Sequence, residues 1–288
     1  MKSGFIYLVR KKAIGDVLWI EPVIRELATR YKKVIVFTKF PELFLNYPLQ
    51  NVRFISRLNI FEKILIKTER FFKTSFFSIN LNKSYEEKPL QHFLNAYQAK
   101  AGLPVKHDYP FIYLSEEEKK YEQGPIGKYV VLHIEESVKK LNTRRIYGIN
   151  WVEVVNYLIN KGYQVIEVGS ASSNIPGTIF MQTPLRELIC LINKSSFFIG
   201  IDSGPAHIAV SLKKPVVLFF GSVNPAFRFF PEQVNGFILQ HYCEFAGCYH
   251  LAKEPLELSC RIVGEAGVPP CANFSSAEVI AAVEKLNL

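Results

Sequence analysis

A chain of 288 residues that is 49% hydrophobic carries too much apolar side chain to stay disordered, and it is long enough for one large domain or two of ordinary size. No apolar run reaches the roughly 18 residues of a transmembrane helix, and the six-residue run near the N-terminus is too short for a signal-peptide core, so a cytoplasmic protein is expected. The net charge of +9 points to polyanionic partners, whether nucleotides, phosphates, nucleic acid or an anionic lipid surface.

Short apolar runs alternate with helical patterns along the chain. Residues 4–10 (GFIYLVR) read as a strand. Val17, Leu18, Ile20, Val23, Ile24 and Leu27 then form an approximate helical stripe over 16–30, with Pro22 early in it. A second strand at 34–38 completes a strand–helix–strand unit, the signature of a parallel sheet. Residues 52–56, 63–66 and 76–80 are further strand candidates, and 89–101 reads as a helix that starts with proline and stops at Gly102. The region 103–128 is rich in Pro and Gly, contains EEEKK and reads as a linker.

The alternation then restarts. Strands are expected at 129–134, 163–168, 178–182, 197–201 and 215–220, with helices at 150–161, from Pro184, and through Leu212. A final helix at 276–287 begins with the capping-box spacing Ser275 to Glu278. The expected fold class is α/β, with two Rossmann-like domains facing each other across a cleft: 1–125, and 126–274, with helix 275–288 free to pack back on the first. Ligands in such open sheets sit beyond the carboxyl ends of the strands.

Three stretches sit at such ends. In IGIDSGPAHIAV, Asp202-Ser203-Gly204-Pro205-Ala206-His207 separates two apolar segments. Pro205 presets helical φ without wasting an N–H, and a helix starting at Gly204 would offer an amide collar to a diphosphate. Asp202 suits sugar hydroxyls and His207 a phosphate oxygen; equally, Ser203 and Asp202 could simply cap the helix and His207 could be a packed residue. Gly15-Asp16, after the first strand, offers either a helix cap or a carboxylate that takes a proton from a hydroxyl. The loop after 129–134 holds Lys139, Lys140, Arg144 and Arg145, which read either as phosphate-neutralising groups or as a solvated basic loop. Gly15, Glu86 and His92 are acceptor-site candidates; Glu86 and His92 read equally as ordinary loop and helix-start residues. Trp19 and Trp151 read as packing residues.

Cys243, Cys248, Cys260 and Cys271 are spaced C-x4-C-x11-C-x10-C. Without paired C-x2-C knuckles this is either a structural metal site or a set of free thiols, and no catalytic metal is expected. A G-x-G-x-x-G after the first strand and a G-x4-G-K-[ST] are both missing, which argues against an ordinary dehydrogenase or a P-loop NTPase. Neither a continuous basic stripe nor an RNA-binding aromatic motif is present, so nucleic acid is not an expected partner.

VRKKAIGDVLWIEPVIREL at 9–27, VVLHIEES…RRIYGINW at 130–151 and IGIDSGPAHIAVSLKKPVVLFFGSVNP at 199–225 together resemble the ADP-heptose:lipopolysaccharide heptosyltransferases, glycosyltransferase family 9, which have the GT-B fold. The resemblance implies an inverting glycosyltransferase that needs no metal cofactor. Asp16 matches the catalytic base and Asp202 the acid contacting the donor. Ser203, Gly204, Pro205 and His207 match the diphosphate turn, and Arg144 or Arg145 the phosphate-binding cation. The donor implied is a nucleotide-diphosphate sugar, with ADP favoured, and the acceptor a glycan or glycolipid hydroxyl, with peripheral contact to the inner membrane face permitted by the charge. The acid that the family carries soon after the glycine following the second strand of this domain is absent from VGSASSNIPG, which leaves the base open. A non-catalytic nucleotide-sugar-binding module, and a GT-B-type sugar-nucleotide epimerase, are the alternatives.

Overall fold

The structure is a computed structural model that describes residues 3–72, 77–121, 124–134, 144–252, 260–264 and 267–286. The chain divides into two compact units, 1–115 and 116–288.

In the first unit, β1 (Ser3–Val9), β2 (Tyr31–Phe37), β3 (Val52–Ile55) and β4 (Ser78–Asn80) form a parallel sheet in the order β3-β2-β1-β4. The two central strands bury both faces, Ile6, Leu8, Val34 and Val36 being fully enclosed and Tyr7, Val9 and Ile35 nearly so, whereas the edge strand β3 is only half-buried. The helical stripe after β1 is broken in two, α1 (Ile14–Leu18) and α2 (Glu21–Arg30), because Pro22 sits in the first turn of α2 and cannot continue a helix from Leu18. The strand expected at 63–66 is instead interior to α3 (Ile60–Phe72). The run Ile64-Leu65-Ile66 looks like a strand in isolation, but Ile60, Ile64 and Phe71 recur at helical spacing. α4 (Phe93–Lys100) follows, capped by His92.

In the second unit, α5 (Glu116–Lys120) leads to β5 (Tyr129–His133), α6 (Trp151–Asn160), β6 (Gln164–Val168) and β7 (Thr178–Met181). Next come α7 (Leu185–Lys194), β8 (Phe198–Ile201), α8 (Gly204–Ser211), β9 (Val216–Phe219), β10 (Gly236–Leu239) and α9 (Ser276–Glu284). The parallel sheet runs β10-β9-β8-β5-β6-β7. β10 was not anticipated. Its first residue, Gly236, has φ +135°, and an added Cβ would collide with the Val216 carbonyl, so only glycine lets this strand join β9.

Two boundaries differ from expectation. The EEEKK run is not linker: as α5 it docks on α7, Arg186 Nη2 donating to Glu118 Oε2 at 2.7 Å, so the units part at 115/116 rather than 125/126. α9 packs on the second unit, where Val279, Ala282, Val283 and Leu286 share a core with Val130, Val155 and Phe219. The capping box Ser275–Glu278 is formed as expected.

Candidate functional site

Each sheet reverses its strand order once, between β1 and β4 in the first unit and between β5 and β8 in the second. Such switch points open a crevice beyond the strand ends. The candidate residues collect at both.

In the first unit, Ala13 precedes α1 with φ +61°, a conformation costing on the order of 1–3 kcal/mol for a non-glycine residue. This turn presents Asp16, whose side chain keeps 24% of its surface in solvent. Arg10, at the end of β1, holds it: Nη2 lies 3.0 Å from Asp16 Oδ1, and Nη1 donates to the Leu81 carbonyl beyond β4 at 3.0 Å. Tyr97 of α4 donates its hydroxyl to the same Oδ1 at 3.0 Å. Burial, first, and then the Asp16 charge push the Tyr97 pKa well above its ordinary value, so the phenol is a proton donor here. Glu86 joins through Arg10, 3.6 Å from Nη2, with its side chain half in solvent.

Gly15 is buried inside α1. His92 is 4% exposed, its Nδ1 accepts the Leu94 N–H at 3.1 Å, and its ring sits edge-on to Trp19 at 4.7 Å. It therefore caps α4 and packs the core rather than presenting itself to an acceptor. Trp19 is buried among His92, Phe93 and Tyr109, as a packing residue should be.

In the second unit, Asp202 follows β8 and is 2% exposed. Three cationic or protonatable groups face it: Arg144 Nε at 3.4 Å and Arg228 Nε at 3.5 Å from Oδ2, and His207 Nε2 at 3.5 Å from Oδ1. Burial alone would raise the pKa of this acid; Arg144, the His207 hydrogen bond and Arg228 outweigh it and hold the carboxyl well below the usual carboxylate range. Ser203 caps α8, its Oγ accepting the Ala206 N–H at 3.4 Å, and Gly204 and Pro205 form the first helical turn. The His207 ring stacks on Phe229 with centroids 4.6 Å apart. The turn thus caps the helix and also gathers charged groups around Asp202.

The structure also separates the two arginines. Arg144 reaches Asp202 and keeps 41% of its side chain in solvent, whereas Arg145 is exposed and lies over the Tyr147 ring, 5.0 Å from its centroid. Lys139 and Lys140 lie outside the described residues. At the end of β6, Glu167 is 1% exposed and accepts the Ser173 N–H at 2.7 Å, so this acid is committed to its own loop.

Arg10, Tyr97 and Arg228 were not singled out from sequence. Arg10 closes the apolar run GFIYLVR, and a charge ending a buried strand was a usable signal. Arg228 falls in VNPAFRFF, where nothing periodic marks it.

Among the described residues no group of three or more His, Cys, Asp or Glu side chains could hold a metal ion, and the four C-terminal cysteines are free thiols. Burial, aided by the neighbouring Cys243, Cys248 and Cys260 thiols, pushes Cys271 up to about 12, which keeps it protonated.

A sequence model of glycosyltransferase family 9 (heptosyltransferase) matches residues 66–244, and the chain belongs to this family. It is 27% identical over 200 residues to the autotransporter heptosyltransferase Aah of Escherichia coli, which covers 64% of this chain and 47% of that protein. The chain thus spans about half the length of that curated relative. Among solved structures, the iron-containing dodecameric glycosyltransferase TibC of enterotoxigenic Escherichia coli superposes with a TM-score of 0.72 at 18% identity, over 99% of this chain and 80% of that one. The Escherichia coli ADP-heptose lipopolysaccharide heptosyltransferase II superposes with 0.67 at 17% identity, over 99% and 98%. These likenesses show the fold, which is GT-B, built from two Rossmann-like α/β units.

Proposed function

We propose that the chain is an inverting glycosyltransferase that moves a sugar, heptose or similar, from a nucleotide-diphosphate sugar to a hydroxyl of a glycan or glycolipid. The observation that carries this reading is the Asp202 cluster at the switch point of the second sheet, in a member of family 9. The donor diphosphate lies at the start of α8, where helix amides, Arg144 and His207 stabilise the leaving group as charge develops on it. Asp202 orients Arg144 and His207 and accepts hydrogen bonds from the donor. An ADP-sugar is the favoured donor, because the solved relative heptosyltransferase II is named for ADP-heptose.

Asp16 is the general base. Arg10 and Tyr97 both engage Oδ1, which leaves Oδ2 to take the proton from the acceptor hydroxyl. Glu86 contributes to acceptor binding beside it. No step in this scheme draws on a metal. A glycolipid acceptor is supported by the likeness to lipopolysaccharide heptosyltransferase 3 of Escherichia coli, 29% identical over 150 residues.

A thermal-shift screen against ADP-, UDP-, GDP- and CDP-sugars, followed by donor hydrolysis and transfer assays, tests the reading. Binding with turnover supports it. Binding without turnover makes the chain a nucleotide-sugar-binding module, and a new sugar isomer makes it an epimerase.

A further inference from the structure

Helix α3 takes no part in either cluster, yet its outer face is apolar and in solvent. Ile60 is 68% exposed, Phe61 79%, Ile64 57% and Phe71 79%. At the helical pitch these four fall within an arc of about 100°. Lys63 and Lys67, both exposed, border that arc on one side. The helix is tied to the sheet by Tyr7 of β1, which donates its hydroxyl to Glu62 Oε1 at 3.0 Å. Phe61 and Ile64 also line an open hollow of about 500 Å³ whose far wall is Phe5 and Tyr7. Phe77 stacks on Phe5 at 5.6 Å, so the apolar surface continues from the helix onto the start of β1.

Single exposed apolar residues are ordinary, but a contiguous band of large ones is stable in water only as a surface awaiting cover. Here the band is phenylalanine and isoleucine with lysines along one margin, the pattern of a helix that lies in a bilayer interface. The lysines and the chain's net charge of +9 select an anionic surface. We infer that α3 docks the protein on an anionic bilayer, with Phe61, Ile64 and Phe71 among the upper acyl chains and Lys63 and Lys67 on lipid phosphates. The glycolipid acceptor proposed above explains why such docking would be useful, but the surface itself does not depend on that reading.

The test is co-sedimentation of the full chain with vesicles of phosphatidylcholine and phosphatidylglycerol in equal parts, against phosphatidylcholine alone. The protein is expected to pellet with the anionic vesicles and to be released by salt. Phe61→Ser with Phe71→Ser should lower partitioning about tenfold or more. Lys63→Glu with Lys67→Glu should do the same and remove the salt dependence. All four positions are exposed, so the melting midpoint should not move. A wild-type protein that stays in the supernatant with both vesicle types overturns the inference, as do variants that pellet like wild type. A wild-type dimer in sedimentation velocity that the phenylalanine variant dissolves would instead give the face to a second copy of the chain. Failure to bind any nucleotide-sugar would leave the vesicle result standing, so the two readings fail separately.

Discussion

Arg228 Nε stands 3.5 Å from Asp202 Oδ2, with both side chains more than nine-tenths buried. Little of either charge reaches water, so the pair matters to both, although Asp202 also faces Arg144 and His207. Asp202→Asn would take a carboxylate away from the enclosed Arg228, and breaking a buried ion pair costs about 3–5 kcal/mol. Urea unfolding should report a loss of that order. The pH dependence has a definite sign. Because the folded-state pKa of Asp202 is depressed, its contribution is present above the unfolded value of 3.8 and is lost as pH falls below it. The wild type should therefore lose stability in this acid window more steeply than Asp202→Asn, and parallel profiles would remove the ion cluster from the account.

The first-unit cluster predicts a separation of binding from turnover. Asp16→Asn preserves shape and its contacts on Oδ1 but cannot take a proton. Donor affinity by calorimetry should stay near wild type while turnover falls by about 100-fold or more. Arg10→Met should also reduce turnover, because it frees Asp16 to rotate, and combining the two changes should cost little beyond Asp16→Asn alone. Near-wild-type activity of purified Asp16→Asn would end its assignment as base.

These two clusters were unequally legible in the sequence. Asp202 through His207 could be found because glycine and proline punctuate two buried strands, and such punctuation forces a tight strand-to-helix turn. Asp16 could be found because it follows the first strand directly. Arg228 could not, since its approach to Asp202 depends on the irregular loop after β9, where no period fixes a side chain's direction. The same reason hid β10: Gly236-Phe237-Ile238-Leu239 is four residues long, and only pairing with β9 makes it a strand. At 63–66 the local apolar run competed with the longer helical spacing of α3, and the longer pattern won. His92 looked like an acceptor ligand because nothing in the chain reveals that Trp19 would lie against it.

Arg144 and Arg145 should differ sharply despite being neighbours. Arg144 sits at the Asp202 carboxylate with its guanidinium partly in solvent, poised for a second anion. Arg145 rests on Tyr147. Losing one charge-assisted hydrogen bond costs about 1.5–3 kcal/mol, so Arg144→Ala should weaken nucleotide-sugar binding by about tenfold or more. Arg145→Ala should change it by less than about threefold, because its guanidinium lies over the Tyr147 ring. Equal losses in calorimetry would return the phosphate role to both.

His250 supplies a second, separate pH window. It is 4% exposed, and its Nε2 accepts the Asn224 N–H at 3.0 Å, which assigns the ring proton to Nδ1. Burial, and then the nearby Arg228 charge, press its pKa down to about 3, against a weaker opposing pull from Asp202. The unfolded chain binds a proton near pH 6.5, where the folded protein does not. Stability present above that value should therefore drain away as pH falls, by up to about 1.4 kcal/mol per pH unit. His250→Gln should be less stable at neutral pH, having lost its packing against Phe227, yet show a flatter decline between about pH 6 and pH 4. This window lies above that of Asp202, so urea midpoints across the range resolve the two groups. Equal slopes for wild type and His250→Gln would mean that the buried imidazole gains its proton without unfolding the loop that holds it.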